Sequence, residues 1–169
     1  MTMNYQLELP IDDNNKPICY FLIGLPCSGK STYVSNNFKN IPVASSDKHI
    51  EYFAMSRGKT YGEVFKSYVD EAQKEMYEEV SRFTRNQTSF VWDQTNLTVK
   101  SRKSKIAPLL QAGFNVHAYY FNVSLETMMD RNAIRAYEGK MIPESVLLNM
   151  ASIAKWPSYD EGFTKLNFI

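Results

Sequence analysis

Apolar residues along this chain follow two rhythms, short unbroken runs and longer stretches in which they recur every three or four positions. The first run, Ile18-Cys19-Tyr20-Phe21-Leu22-Ile23, predicts a buried strand, and residues 32–38 read as the helix that follows it. A brief run at 41–45 predicts a second strand that ends at Ser45-Ser46-Asp47, with a helix over 48–55. After a break centred on Arg57-Gly58-Lys59, the positions Tyr61, Val64, Phe65, Tyr68, Val69, Ala72, Met76, Val80 and Phe83 mark the core-facing stripe of a long helix over 60–85. Its aromatics carry no ligand role in this reading. Ser89-Phe90-Val91-Trp92 is a third short strand, ending at Asp93.

The second half repeats the alternation. Residues 98–111 predict a helix in which Pro108 should cause a kink or an early end, with Lys100, Arg102, Lys103 and Lys105 largely exposed. Residues 114–121 predict a strand, and His117 inside it reads as structural. Ser124 can cap the next helix and Glu126 suits its first turn, although Thr127 leaves the capping box incomplete. Pro143 suits a helix start, Pro157 stops that helix, and 164–169 reads as a last strand. Alternating strands and helices predict an α/β fold, a mostly parallel sheet of about five strands covered on both faces. Residues 18–169 are expected to form one domain. Residues 1–17, with Tyr5, Leu7, Leu9 and Ile11 alternating, are expected to form an edge strand or an arm.

Composition narrows this picture only slightly. Lys plus Arg total 19 against 18 for Asp plus Glu, so a nucleic-acid surface would have to be local rather than global. The two cysteines, Cys19 and Cys27, suggest neither a disulfide framework nor a metal cluster, and a reducing cytoplasm is the expected setting. No apolar run approaches the length of a membrane span, and no partner protein is implied.

The chemistry begins directly after the first strand. Gly24-Leu25-Pro26-Cys27-Ser28-Gly29-Lys30-Ser31 has the spacing of a phosphate cradle, continued into a helix by Thr32. Glycines allow the turn that points successive N–H groups at one anion, and the helix start adds partial positive charge. Lys30 would reach the β/γ-phosphates of ATP, and Ser31 would hold Mg2+. Asp47 and Asp93 each follow a strand, where open α/β sheets place their ligands. Asp47 could take a proton from a substrate hydroxyl or help place Mg2+, or it could cap a helix. Asp93 could organise Mg2+, or form a turn or cap, a role open equally to Thr98. Arg131 and Arg135 lie four apart on one helical face before the loosely specified Ala136-Tyr137-Glu138-Gly139-Lys140. They suggest a mobile lid that closes cations over a triphosphate.

These motifs together resemble the kinase domain of phage polynucleotide 5'-hydroxyl kinase, one of the zeta-toxin-like P-loop kinases, from Ile18 to about Met150. The cradle, Ser45-Ser46-Asp47, Asp93-Gln94-Thr95-Asn96-Leu97, and Asp130-Arg131-Asn132 with Arg135 and Ile142-Pro143 carry the likeness. The resemblance implies Asp47 as general base, Lys30 and Ser31 on phosphates and Mg2+, Arg131 and Arg135 as lid arginines, and Asp93 as the carboxylate that fixes arginine and acceptor. It implies transfer of the ATP γ-phosphate to the 5'-hydroxyl of DNA or RNA, in a host cytoplasm if the chain is phage-encoded. Two departures stand out. The Asp-Thr-Asn-Leu element gains one residue here, and the family's acceptor-binding arginine is replaced by Ile50, with Lys48, His49 or Arg57 as candidate substitutes. An acceptor such as a nucleoside, a small alcohol or a hydroxymethylated DNA base is therefore the alternative, and a module that binds ATP without turnover is a third reading.

Overall fold

The first apolar run becomes the central strand of the sheet. In the computed structural model, which describes residues 15–169, β1 (Ile18–Gly24) is buried along its whole length. It is followed by α1 (Lys30–Asn37), β2 (Val43–Ala44), α2 (Ser46–Ser56), α3 (Tyr61–Arg85), β3 (Phe90–Trp92) and α4 (Val99–Gln111). Then come β4 (Asn115–Phe121), α5 (Leu125–Ile134), a 3-10 turn (Arg135–Glu138), α6 (Glu144–Ile153), a second 3-10 turn (Tyr159–Glu161) and β5 (Lys165–Phe168). The expected edge strand or arm at the N-terminus falls almost wholly outside the described residues.

The five strands run in the order β2-β3-β1-β4-β5, and every pairing is parallel. Alternate residues of β1 feed two cores. Cys19, Phe21 and Ile23 pack with Met76 and Val80 of α3 and with Ile106 and Leu109 of α4. Ile18, Tyr20 and Leu22 pack against Val34 and Phe38 on the α1 side. Phe21, Leu22 and Ile23 are wholly buried, each a contribution of ~1.5–3 kcal/mol. A third cluster, Ile50, Ala54, Val64 and Ala72, joins α2 to α3.

β1 has β3 on one side and β4 on the other, so the sheet changes winding direction at its carboxyl end, where a crevice opens in such folds. Several boundaries differ from the sequence expectation for local reasons. α1 starts at Lys30 and α2 at Ser46, because Gly29 and Ser45 are the N-cap residues. α4 continues through Pro108 to Gln111, and the Ala112 N–H donates to the Pro108 carbonyl at 3.0 Å, so the helical ladder resumes after the ring.

Candidate active site

β1 ends in the cradle, and the loop that follows is held from two sides. The Gly24 N–H donates to the Thr95 carbonyl at 3.0 Å, tying the cradle to the loop after β3. A Cβ on Gly24 would lie 2.9 Å from Ser28 Oγ and 3.0 Å from the Phe121 carbonyl, so no side chain fits. Gly29 takes φ +96° as the N-cap of α1, a left-handed conformation that turns the loop into the helix and leaves the first N–H groups without a side-chain cap. Lys30 is buried, and its ammonium donates to the Gly24 and Leu25 carbonyls at 3.0 and 2.8 Å. Burial lowers its pKa, while the negative charges of Asp93 and Asp47 oppose that effect. Ser31 and Thr32 follow in the first turn, both exposed.

The two carboxylates reach this region from neighbouring strands. Asp47 lies in the first turn of α2, two residues past the N-cap Ser45, and its side chain is exposed. Asp93 follows β3. Burial pushes its pKa up, Lys30 pulls it back, and Asp47 adds to the rise. Thr98, not Asp93, caps α4, its Oγ1 accepting from the Ser101 N–H at 3.3 Å.

Arg131 and Arg135 converge on the cradle from across the crevice. Arg131 Nη1 donates to the Cys27 carbonyl at 3.1 Å, and Arg135 Nη1 lies 3.4 Å from Cys27 Sγ. A cavity of about 840 Å³ is bounded by Pro26, Cys27, Ser28, Gly29, Lys30, Ser31 and Thr32 on one side and by Arg131, Arg135 and Lys140 on the other. Asp47 and Asp93 are not part of its wall. The segment expected to be a loose lid is a 3-10 turn closed by Gly139. It is fastened elsewhere in the fold: the Gly139 carbonyl accepts from the Gly62 N–H at 3.0 Å, and Lys140 pairs with Glu51 at 2.6 Å.

The donor set suits a nucleotide with Mg2+. Uncapped N–H groups at the start of α1, a lysine and two guanidiniums around one cavity match a polyphosphate. Among the described residues no three His, Cys, Asp or Glu side chains form a metal cage. A hydroxyl, one or two carboxylates and phosphate oxygens is the ligand set that Mg2+ takes, and Ser31 with Asp93 or Asp47 could supply the protein's share.

Sequence reasoning missed the roles of five residues around the site. Tyr61, assigned to the core stripe, donates its hydroxyl to Asp47 Oδ1 at 2.7 Å. Asn132 is buried and exchanges two hydrogen bonds with the Ile142 backbone, at 2.8 and 2.9 Å, fixing the connection from α5 to α6. Asn96, at φ 50°, donates to the Leu22 carbonyl at 2.8 Å and holds the loop after Asp93 against β1. Arg102, expected on a solvated face, is wholly buried. It forms a bidentate pair with Glu161 at 2.6 and 2.8 Å and also donates to the carbonyls of Asn96, Leu97, Lys155 and Trp156. Lys105 is likewise drawn in, bonded to Gln94 and Asn96 at 2.7 Å, and burial lowers its pKa to about 8. Of the basic run, Lys100 and Lys103 are exposed. The extra Gln94 in the Asp-Thr-Asn-Leu element was the available signal for this cluster, because its half-buried side-chain carbonyl accepts from the Trp92 and Lys105 donors.

Fold and cradle together define a P-loop, kinase-like α/β domain. The chain belongs to the AAA domain family, whose model matches residues 20–157, and that membership implies a bound nucleotide. A sequence comparison with curated proteins returns no match. Solved structures with the same fold include a candidate kinase from Chloroflexus aurantiacus, 18% identical, with a TM-score of 0.69 over 91% of this chain and 85% of that one. The PezAT chromosomal toxin-antitoxin system of Streptococcus pneumoniae matches at 16% identity and a TM-score of 0.65, over 96% of this chain and 69% of that one. The Pnkp1/Rnl/Hen1 RNA repair complex matches at 21% identity and a TM-score of 0.63, over 81% of this chain and 43% of that one. Among the described residues no helix is long and apolar enough to cross a membrane.

Proposed function

We propose that this protein is an ATP-dependent phosphotransferase that moves the γ-phosphate onto a hydroxyl, the 5'-hydroxyl of DNA or RNA. The observation that carries this reading is the grouping of Asp47 and Asp93 around the cradle lysine. Both carboxylates act on the Lys30 charge, while two arginines face the same loop from the opposite wall. A nucleotide-binding module has no use for a carboxylate such as Asp47, exposed and close enough for its charge to act on Lys30. Likeness to an RNA repair complex favours a nucleic-acid end as acceptor.

In this reading the acceptor oxygen bonds to the γ-phosphorus as the bond to the β-phosphate oxygen breaks, and Asp47 takes the hydroxyl proton. Lys30 and the N–H groups of the cradle hold the phosphates. Arg131 and Arg135 donate to oxygens that gain charge during transfer. Ser31 and Asp93 would hold Mg2+, which would supply neutralisation of phosphate charge. A second reading, transfer to a nucleoside, a small alcohol or a hydroxymethylated base, is favoured by Ile50. Its side chain is wholly buried between α2 and α3, so no acceptor phosphate can be gripped from there.

Labelled ATP offered with 5'-hydroxyl oligonucleotides, a nucleoside panel and hydroxymethylated DNA tests both. Label on the oligonucleotide 5'-end supports the first reading, and label only on a small acceptor replaces it with the second. ATP binding with no labelled acceptor overturns both.

A further inference from the structure

We propose that Tyr61 is a positioning residue for Asp47, holding one carboxylate oxygen so that the other, Oδ2, takes the acceptor proton; this rests on the phosphotransferase reading above. The tyrosine hydroxyl donates to Oδ1 at 2.7 Å, from the first residue of α3 to the first turn of α2. An exposed aspartate at a helix start would otherwise sample several rotamers. A charge-assisted hydrogen bond selects one of them.

The tyrosine itself is held firmly. Thr60 and Glu63 form a complete capping box at the start of α3, with the Thr60 N–H on Glu63 Oε2 at 2.7 Å. The next residue, Gly62, donates to the Gly139 carbonyl, an approach so close that a Cβ on Gly62 would lie 2.7 Å from that oxygen. The Lys140 ammonium sits 5.9 Å from the Tyr61 ring centroid while paired with Glu51, one helical turn beyond Asp47. The hydroxyl thus reaches Asp47 from a helix start locked to the segment that follows Arg135. The hydroxyl is the donor of the pair, since an ionised carboxylate oxygen can only accept. Lys30 of α1, Asp93 after β3, Glu51 of α2 and Arg135 after α5 are the other charges around the pair.

The test compares the full chain with Tyr61→Phe, which keeps the ring and its packing and removes only the donor. kcat should fall about 10- to 100-fold, the range for a hydrogen bond to a charged group, with KM for ATP unchanged. In an Asp47→Asn background the same change should cost nothing further, because Tyr61 acts through Asp47. Unchanged kcat, or an equal loss in both backgrounds, overturns the assignment. A readout independent of turnover is the Cζ resonance of Tyr61 in protein carrying 13C-labelled tyrosine. It should move on Asp47→Asn, and identical spectra overturn the pairing. If no acceptor is phosphorylated by the unaltered protein, the phosphotransferase reading falls and the resonance alone judges the pairing.

Discussion

The two sides of the candidate site are built in opposite ways. The phosphate side is contiguous: one turn from Gly24 to Thr32 supplies the backbone cradle, the lysine and the hydroxyl, and two arginines four residues apart complete the wall. In the proposed reading the acceptor side would be assembled from α2 and α3, which bring Asp47 and Tyr61 together, with a fully buried Ile50 where a cation would serve an anionic acceptor. A polyphosphate presents the same charges in every such site, so a local motif suffices to hold it. An acceptor differs from case to case and is met by whatever two packed helices bring together. Lys48 is exposed and near enough to Asp93 to lower its pKa, whereas His49 is paired with Glu75 and Glu79.

Substitutions can separate the two sides. Asp47→Asn should lower transfer by ~10²–10⁴-fold, the usual contribution of a positioned base, while ATP affinity measured by calorimetry stays nearly unchanged. Lys30→Ala should reduce both, and equal behaviour of the two variants would erase the contrast. Arg102→Ala leaves Glu161 as an uncompensated buried charge and should cost about 3–5 kcal/mol in denaturant unfolding. This variant asks whether the loop beyond Asp93 depends on a distant anchor. Ile50→Arg should destabilise rather than create a new acceptor contact, since the side chain points into the cluster of Ala54, Val64 and Ala72. A stable variant with a changed acceptor preference would show that α2 can turn outward.

The smallest effect concerns Asp93. Burial raises its pKa in the folded state, so the folded protein binds the proton more tightly than the unfolded chain. The associated stability is present at low pH and is lost as pH rises through the elevated pKa. Relative to Asp93→Asn, the unaltered protein should therefore lose melting temperature across that window, and the variant should be slightly more stable at neutral pH yet slower in transfer. A constant difference between the two melting curves at all pH values would contradict this.

Much of the fold was legible because local pattern and tertiary role coincide. A six-residue apolar run bounded by turn residues suits a strand in a sheet covered on both faces, and Thr98 and Ser124 mark helix starts by their own side-chain chemistry. Reading failed where a residue's partner lies far away in the chain. Arg102 resembles its basic neighbours by spacing, and only the return of the chain at Lys155, Trp156 and Glu161 gives its guanidinium enough acceptors to be buried. Tyr61 fits a helical stripe, and nothing local distinguishes a ring that faces the core from one whose hydroxyl reaches a carboxylate on another helix.

The sequence by itself determined the phosphate cradle, the alternation of strands and helices, and the carboxylates at strand ends, because each depends on backbone geometry within a few residues. The tertiary structure alone decided the strand order that puts Asp47, Asp93 and Lys30 around one crevice, the inward turn of Ile50, and the fastening of the arginine-bearing segment to α2 and α3. Those are contacts between segments dozens of residues apart, and packing rather than local propensity selects them.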